Sequence, residues 1–341
     1  MGRLVAGPVA AARAILPILL ALPVLLLVQA LAPDYPAIGL VNLFVNVVLA
    51  VSLNVVNGFT GQFSLGHAGF MSIGAFAAAL VTLALADVQL SGLPLVLSDG
   101  LFFGAALAAG MVAAGLAGLL VGLPSLRLRG DYLAIVTLGF GEIIRSIIEN
   151  VPALGGALGL SGLPLRTSIV WAGLGAVAVV VMARRLKAST QGRALLAIRE
   201  DEVAAEAMGV DTTGYKVRAF VISAAWAGLA GGLVAHLIGS IAPGNFNFVR
   251  SMESVVMVVL GGLGSITGSV VAATALSLLL EFLRDFQSYR MPVYALLLIL
   301  LMLSRPQGLF GSHELWDLWK RKVRRPAAPP PGPPAGREAA P

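Results

Sequence analysis

Two ionisable residues stand close together in an otherwise apolar stretch of the sequence. Glu142 and Arg145 are three residues apart, so in a helix they share one face. Glu142 lies about 16 Å along that helix from Asp131, which is near mid-membrane if Asp131 marks the inner edge of a bilayer. An ionisable pair at that depth is costly and is a candidate for function. The alternative, which the spacing alone favours, is a structural ion pair between helices or one near the outer interface.

Most other site chemistry is excluded by the residue types. The chain has no cysteine, which excludes thiolate metal sites, disulfide scaffolds and cysteine nucleophiles. Its three histidines, His67, His236 and His313, share no ligand spacing, so we predict no metal and no cofactor. None of the lysines precedes Ser or Thr, so the chain has no P-loop and ATP-driven work would need a separate chain. No nucleophile–base arrangement is visible, so an enzyme is not predicted.

Polar residues and glycines interrupt the apolar sequence at residues 54–67, which we call the first break. Backbone that leaves helical geometry in a membrane persists only where protein or water satisfies its polar groups. The segment indicates either a broken helix that lines a path or a tight turn whose glycines allow close helix packing, and the spacing alone slightly favours the turn. The pathway candidates here are Asn54, Asn57, Gln62, Ser64 and His67, of which His67 is expected mainly to bond locally.

A second glycine cluster, residues 261–268, separates two short apolar segments and is called the second break. Paired Gly-interrupted segments in the two halves of a membrane protein indicate a transport pathway built from repeats. Glycine is also common in membrane helices, so this signal has moderate specificity. The further pathway candidates are Gly261, Gly262, Gly264, Thr137 and Glu142.

The elements that must position these residues are membrane helices. The composition is 58% hydrophobic and 12% charged, with a mean hydropathy of +0.91. A soluble domain carries about 25% charged residues, so the chain is predicted to be an all-α polytopic integral membrane protein. About ten apolar segments approach the length of a membrane span. They are residues 14–31, 36–56, 67–86, 101–123, 132–148, 168–183, 217–241, 254–263, 266–283 and 291–303. The segment 254–263 spans the membrane by itself only if it begins near Arg250. The alternative is a re-entrant segment that enters and leaves the membrane on the same side.

Basic residues indicate the orientation of these spans. They cluster at residues 3–13, 127–129, 184–199 and 305–325. With ten spans, every cluster falls on one side, which places both termini in the cytoplasm. The net charge of +6 is explained by these loops and does not require nucleic acid. A cleaved signal peptide is an alternative for the first segment, but its apolar core is longer than usual.

The predicted domains follow from these boundaries. Residues 1–13 form the cytoplasmic N-terminus and residues 14–304 the transmembrane domain. Residues 305–325 are a basic and aromatic juxtamembrane segment, in which residues 315–319 are expected at the interface. Residues 326–341 are rich in proline and are expected to be disordered.

The long cytoplasmic loop, residues 184–216, predicts a short amphipathic helix pair. Its apolar stripe and its acidic cluster lie close together in the sequence. Anionic lipid would repel the acidic residues, which favours docking of a soluble partner over lying on the membrane. The stripe consists of Val203, Ala204, Ala207 and Met208, and the acidic residues are Glu200, Asp201, Glu202 and Glu206.

Four motifs together resemble the permease subunits of branched-chain amino acid ABC importers of the LivM type. The resemblance covers nearly the whole chain except the proline-rich tail. The motifs are residues 61–75 (GQFSLGHAGFMSIGA), 128–140 (LRGDYLAIVTLGF), 197–202 (AIREDE) continuing to 207–211 (AMGVD), and 258–265 (VVLGGLGS). The resemblance implies the fold of an ABC importer permease.

The resemblance also implies partners and a substrate class. A second permease chain, two cytoplasmic ATPases and an extracytoplasmic binding protein would complete the importer in a bacterial inner membrane. Its substrates would be branched-chain or related hydrophobic amino acids, and relatives take urea or short amides. The external loop 154–160 lacks the Thr and Asn expected beside its glycines, which leaves the substrate open. A stand-alone secondary transporter is the alternative from another class.

Within the resemblance, the loop 193–211 is similar to the element that docks into the ATPase. Nine residues are therefore expected to couple the chain to ATP hydrolysis. They are Gly192, Arg193, Arg199, Glu200, Asp201, Glu202, Ala205, Met208 and Gly209.

Overall fold

Helices account for nearly all regular structure in the part of the chain that can be described. The computed structural model describes residues 8–31, 34–85, 95–126 and 131–283, together with residues 292, 295, 296, 299, 303, 308–311 and 314. The first helices are α1 (Pro8–Leu31), α2 (Asp34–Asn54), α3 (His67–Ala84), α4 (Leu95–Ser125), α5 (Asp131–Asn150) and α6 (Ile169–Ala188). They are followed by α7 (Thr190–Glu200), α8 (Glu202–Ala207), α9 (Thr212–Ile238), α10 (Phe248–Gly261) and α11 (Ile266–Phe282).

The helices confirm an all-α polytopic membrane architecture. Each apolar segment predicted between residues 14 and 283 coincides with one helix. Within the described residues, five helices are long and apolar enough to cross a membrane, and α11 and residues 16–31 are shorter apolar helices. The segment predicted at 291–303 lies mostly outside the described residues, so the count of ten stays a prediction.

Two helices depart from the simple span. The 14-residue helix α10 begins at Phe248, upstream of Arg250, yet measures only about 20 Å at 1.5 Å per residue. It is therefore shorter than the hydrocarbon core of about 30 Å. The 20-residue helix α5 has the length of a span but carries Glu142, Arg145 and Glu149 along it.

The two ends of the bundle differ in character. A two-stranded antiparallel sheet, β1 (Leu160–Ser161) with β2 (Ser240–Ile241), marks one end, which we call the strand end. Helices α6 and α9 run from there to the α7–α8 pair, which marks the opposite end. The predicted cytoplasmic loop is thus mainly helical, because α6 continues to Ala188 and α9 begins at Thr212.

Glycines allow α3, α4 and α9 to pack backbone against backbone. A Cβ added to Gly74 would overlap the backbone of Gly228, and one added to Gly231 would overlap the carbonyl of Met71. A Cβ on Gly110 would lie 2.6 Å from the carbonyl oxygen of Gly74. In a bilayer, where apolar burial between helices gains little, such close contact is the main source of packing energy.

Polar side chains inside this block are satisfied by other helices. His236 of α9 forms a 2.8 Å hydrogen bond with the Thr82 hydroxyl of α3 through Nε2. Its Nδ1 lies 2.8 Å from the carbonyl oxygen of Gly232, so both ring nitrogens have partners. The ring also packs edge-on against Phe103 of α4, with 5.0 Å between centroids. His236 therefore joins three helices.

Candidate functional site

The structure contains the predicted break between α2 and α3. After Asn54 the chain forms one π-helical turn over Val55–Phe59 and is then non-helical up to His67. The Oγ1 of Thr60 bonds back to the carbonyl of Val56 at 2.6 Å, which closes the turn. Residues 61–66 form no helix, and the Gln62, Ser64 and Leu65 N–H groups donate to side-chain oxygens instead.

Asn54 joins the first break to the second. Its Oδ1 accepts a 2.9 Å hydrogen bond from the Gly264 N–H, and its Nδ2 donates a 3.0 Å bond to the carbonyl of Ser265. The side chain is fully buried, and its Oδ1 replaces the water that the Gly264 N–H would otherwise need. The two breaks, about 210 residues apart in sequence, form one site.

Gly58 and Gly264 meet where the breaks touch. A Cβ on Gly58 would overlap both Asn54 Oδ1 and the Gly264 nitrogen, so no other residue fits there without movement. Gly264 also has a φ of +83°, a region that favours glycine. Gly261 packs on the backbone of Gly268 in the same way, and Gly262 ends α10 beside Gly311.

The non-helical part of the first break rests on α5 and on its own π turn. The Ser64 N–H donates to Asn57 Oδ1 at 3.1 Å, and the Leu65 N–H donates to Thr137 Oγ1 at 3.0 Å. Three buried polar atoms nearby have no hydrogen-bond partner within the described residues: Asn57 Nδ2, Gln62 Oε1 and Ser72 Oγ. Two of them belong to the first break, which is therefore incompletely satisfied in this conformation.

His67 forms a hydrogen bond with a side chain of α2 that lies 15 positions earlier in the chain. Its Nε2 lies 2.9 Å from Ser52 Oγ, and the Ser52 carbonyl accepts a 2.7 Å bond from Ser223 Oγ of α9. The ring is buried and joins the start of α3 to α2, which Ser223 in turn joins to α9. Among the described residues, no group of three or more His, Cys, Asp or Glu side chains could hold a metal ion.

Glu142 belongs to a charged stripe on α5. Arg145 donates to Glu142 at 2.9 Å and to Glu149 at 3.1 Å, so one guanidinium bridges two carboxylates. The three side chains are 31–42% exposed, although the helix packs against α3. The sequence predicts only the first of these two ion pairs. Because lipid solvates such charges poorly, the stripe requires water or another protein chain beside it.

The α7–α8 pair is rigidly capped. Ser189 accepts from the Gly192 N–H at the start of α7, and Asp201 accepts from the N–H groups of Val203 and Ala204 at the start of α8. Gly209 follows α8 with a φ of +84°, the left-handed conformation that glycine commonly adopts just after the end of a helix. Gly192 is buried where a Cβ would overlap the carbonyl of Leu186.

One face of this pair is exposed and apolar. Val203 is 63% and Met208 is 85% exposed, whereas Ala205 is buried. Glu202 turns inward and forms a 2.6 Å ion pair with Lys216 of α9, whose side chain is only 3% exposed. The predicted apolar stripe thus faces away from the protein, and α8 is anchored on the opposite side.

Arg199 of α7 joins the helix pair to both breaks. Its guanidinium donates to the Gly58 carbonyl at 2.8 Å and to the Leu263 carbonyl at 3.4 Å. Its Cγ would lie 3.0 Å from a Cβ on Gly61. The other predicted coupling residues do not reach the breaks in this way. Arg193 bonds locally to Thr190 and Ala188, and Glu200 is exposed.

Sequence reasoning missed two residues of the site, Lys187 and Glu314. Lys187 donates to the Gly264 carbonyl and to Glu314 Oε1, each at 2.6 Å. Both residues lie in segments that the sequence assigns to basic loops, and nothing in their spacing indicates that they meet. Burial raises the pKa of Glu314, but the bonds from Lys187, Thr267 and Ile266 outweigh it and hold the pKa below its ordinary 4.5.

Three features together define a multi-pass membrane transport protein. They are the helices of membrane-spanning length, the broken helix between them and the exposed helix pair that is hydrogen-bonded to that break. Comparison with known proteins narrows this class. Residues 35–304 match the family model described as branched-chain amino acid transport system, permease component, and the chain belongs to that family.

Individual relatives agree with this assignment. The chain is 38% identical to the high-affinity branched-chain amino acid transport system permease protein LivM of Salmonella typhimurium, an alignment covering 77% of the chain and 67% of the relative. Identity to the Escherichia coli K12 LivM is 37% with the same coverage. The permease protein LivH of Escherichia coli K12 is 33% identical over 41% of the chain and 46% of its own length. No solved structure matches the chain.

Proposed function

We propose that the chain is the permease subunit of an ATP-driven importer for branched-chain or related hydrophobic amino acids. One observation carries the coupling part of the proposal: Arg199 on the exposed α7–α8 pair donates hydrogen bonds to backbone carbonyls of both breaks. A movement of the α7–α8 pair is therefore passed to the site in the described bundle where the two glycine-rich breaks meet. Family membership and the relatives' printed names support the substrate class.

The α7–α8 pair is the proposed contact with the ATPases. Its exposed face combines Val203 and Met208 with acidic neighbours, which suits a soluble protein better than anionic lipid. The caps and the Glu202–Lys216 ion pair make it stiff enough to act as a lever. Two ATPases would drive it, the pair would face the bacterial cytoplasm, and both termini would lie on that side of the inner membrane.

The charged stripe of α5 marks the proposed pathway. Its charges need a polar neighbour, and similarity to both LivM and LivH supports pairing with a second permease chain. Glu142, Thr137 and the two breaks would then lie along the path between the two permeases. An extracytoplasmic binding protein would deliver the substrate at the strand end. Urea or short amides are the alternative cargo.

The test begins with the tagged chain, gently solubilised from its native membrane. We expect a second permease and P-loop ATPases to co-purify, and reconstituted vesicles to accumulate labelled leucine when ATP is supplied on the ATPase side. Recovery of the chain alone, with uptake driven by a proton or sodium gradient, would contradict the importer and support a stand-alone transporter. Competition by urea or acetamide, instead of by isoleucine and valine, would select the alternative cargo.

Substitution of Arg199 tests whether its hydrogen bonds to the two breaks couple transport to ATP hydrolysis. Arg199→Ala removes the donor to both breaks, and we expect leucine transported per ATP hydrolysed to fall by about threefold to thirtyfold, the range of a coupling contact. Arg218→Ala is the matched comparison, because Arg218 is exposed on α9 and its guanidinium lies over the Tyr215 ring of the same helix. Equal transport ratios for the two variants would remove Arg199 from the coupling role.

A further inference from the structure

Residues beyond the last predicted span return to the protein interior. The Leu309 N–H donates to the carbonyl of Leu260 at 2.8 Å, and the Phe310 N–H donates to the carbonyl of Gly261 at 3.3 Å. Gly308 and Gly311 pack directly on Gly262. These hydrogen bonds satisfy the last two carbonyl groups of α10, where the second break begins. The described part of the juxtamembrane segment is thus built into the site and does not merely lie along it.

Glu314 completes this contact with both carboxylate oxygens. Oε1 accepts from the Ile266 N–H at 3.0 Å, and Oε2 accepts from the Thr267 N–H at 3.0 Å and from the Thr267 hydroxyl. The carboxylate therefore caps the first turn of α11, where free N–H groups and the helix dipole favour a negative charge. The residue is 2% exposed, so water does not compete for these bonds.

Lys187 connects this cap to the α7–α8 pair. Its ammonium donates to Glu314 Oε1 and to the Gly264 carbonyl, each at 2.6 Å, and it lies 5.6 Å from the ring centroid of Phe59 in the first break. Lys187 stands in the last turn of α6, two residues before Ser189, which caps α7. The ion pair thus joins the root of the helix pair to α11 and to both breaks.

We propose that Glu314 is a positioning residue that holds the second break in register with the α7–α8 pair through Lys187. The inference rests on the proposed function in one respect, since the movement it transmits is the one driven by the ATPases. Two side chains then connect the breaks to this end of the bundle. Arg199 donates from α7 to the carbonyls of Gly58 and Leu263. Lys187 donates from α6 to the Gly264 carbonyl and to Glu314. Because hydrogen bonds hold the α7–α8 pair to the second break at two points, the pair cannot rotate about either point. A movement of the pair therefore moves the second break as a unit.

The absence of cysteine allows a direct test of position. Cysteines placed at Ala204, exposed on α8, and at Leu278, 55% exposed on α11, would carry spin labels whose separation is measured in the purified chain. Glu314→Gln replaces one of the two accepting oxygens by an amide group that donates. That group would face either Thr267, in place of Oε2, or Ile266 and Lys187, in place of Oε1. We expect the distance distribution to become clearly broader than in the parent chain. Lys187→Met, which leaves the α11 cap in place, should broaden it as well and covers the case that Glu314→Gln does not fold.

Two further variants separate positioning from general damage. Glu253→Gln removes a 2.8 Å ion pair with Arg250 near the other end of α10, and it should leave the distribution narrow. The exchange Lys187→Glu with Glu314→Lys keeps an ion pair but points an ammonium at the α11 N–H groups and a carboxylate at the Gly264 carbonyl. It should therefore not rescue the narrow distribution. Rescue would show that only net charge matters and would overturn the proposal.

The same variants are then measured in the assembled importer. We expect leucine transported per ATP hydrolysed to fall by about threefold or more in Glu314→Gln and Lys187→Met, with ATP hydrolysis retained. Unchanged label distances together with an unchanged transport ratio would overturn the positioning role. If no ATPase associates with the chain, the proposed function fails, whereas the distance distributions still decide whether Glu314 positions the helix pair.

Discussion

The first break is held by neutral side chains together with Arg199, whereas three charged side chains contact the second break or its edges. Asn57 and Thr137 support residues 54–67 through amide and hydroxyl groups, and Asn54 bonds from this segment to Gly264 and Ser265. Residues 261–268 are contacted by Arg199, Lys187 and Glu314, and in the described structure no buried polar side chain there lacks a partner. The first break, by contrast, leaves Asn57 Nδ2 and Gln62 Oε1 unpaired.

This difference assigns different tasks to two segments of similar composition. Charged hydrogen bonds are about twice as strong as neutral ones, so the second break is the fixed member of the pair. An unpaired donor and an unpaired acceptor within six residues favour a rearrangement that satisfies both. The first break is therefore the member that we expect to change conformation during transport, and the second the one that transmits force to it.

The largest expected effect comes from filling the contact between the breaks. Gly58→Ala would overlap Asn54 Oδ1 and the Gly264 nitrogen, so we expect a loss of about 3 kcal/mol in unfolding free energy, typical of overpacking. Thermal unfolding and yield of the purified chain measure it. Gly139→Ala is the control, because a Cβ there meets nothing within 4 Å. Similar losses in both variants would mean that the breaks do not meet closely.

Removing the amide that bridges the breaks should have the next largest effect. Asn54→Ala leaves the Gly264 N–H buried without its acceptor and removes one of the bonds to the Ser265 carbonyl, which still accepts from Ser269, at a cost of about 2 kcal/mol. Denaturant unfolding in detergent checks the magnitude. Asn54→Asp keeps the acceptor for Gly264 but places a second carboxylate oxygen against the Ser265 carbonyl, so a stability equal to that of the parent chain would contradict the two-sided bridge.

The charged support of the second break predicts a pH dependence that the first lacks. Because the pKa of Glu314 is lower in the folded chain than the ordinary 4.5, its contribution is fully present above pH 4.5. That contribution is lost as the pH falls through the folded pKa. The parent chain should therefore lose more stability than Glu314→Gln on acidification below pH 4.5, as measured by thermal unfolding. Parallel pH curves would remove Glu314 from this role.

The smallest effect is expected in the first break. The Gln62 Oε1 has no partner to lose, so Gln62→Met should change the unfolding free energy by less than about 0.5 kcal/mol. If this segment rearranges during transport, the same variant should nevertheless alter the uptake rate in vesicles. A stability loss comparable to that of Asn54→Ala would show that Gln62 is bonded and would weaken the contrast between the two breaks.

Apolar length and glycine spacing were sufficient to predict the helices and both breaks. Spans depend on local composition, and each predicted segment up to residue 283 coincides with a helix. The contacts between the breaks depend on residues far apart in the chain. Glu314 meets Lys187 across 127 positions, and a lone glutamate among basic residues carries no signal of that contact. Arg199 was selected through the resemblance, while its two carbonyl partners became visible only in the structure.

The glycine contacts among α3, α4 and α9 have a consequence for the turnover rate of transport. Backbones packed this closely cannot slide without opening a void or colliding, so the three helices behave as a frame. Hydrogen bonds at the breaks can exchange partners with almost no change in volume. The energy barrier of a transport cycle would then be set by a few exchanges around Gly58 and Gly264, and tuning the turnover rate would require changes at those bonds and not in the frame.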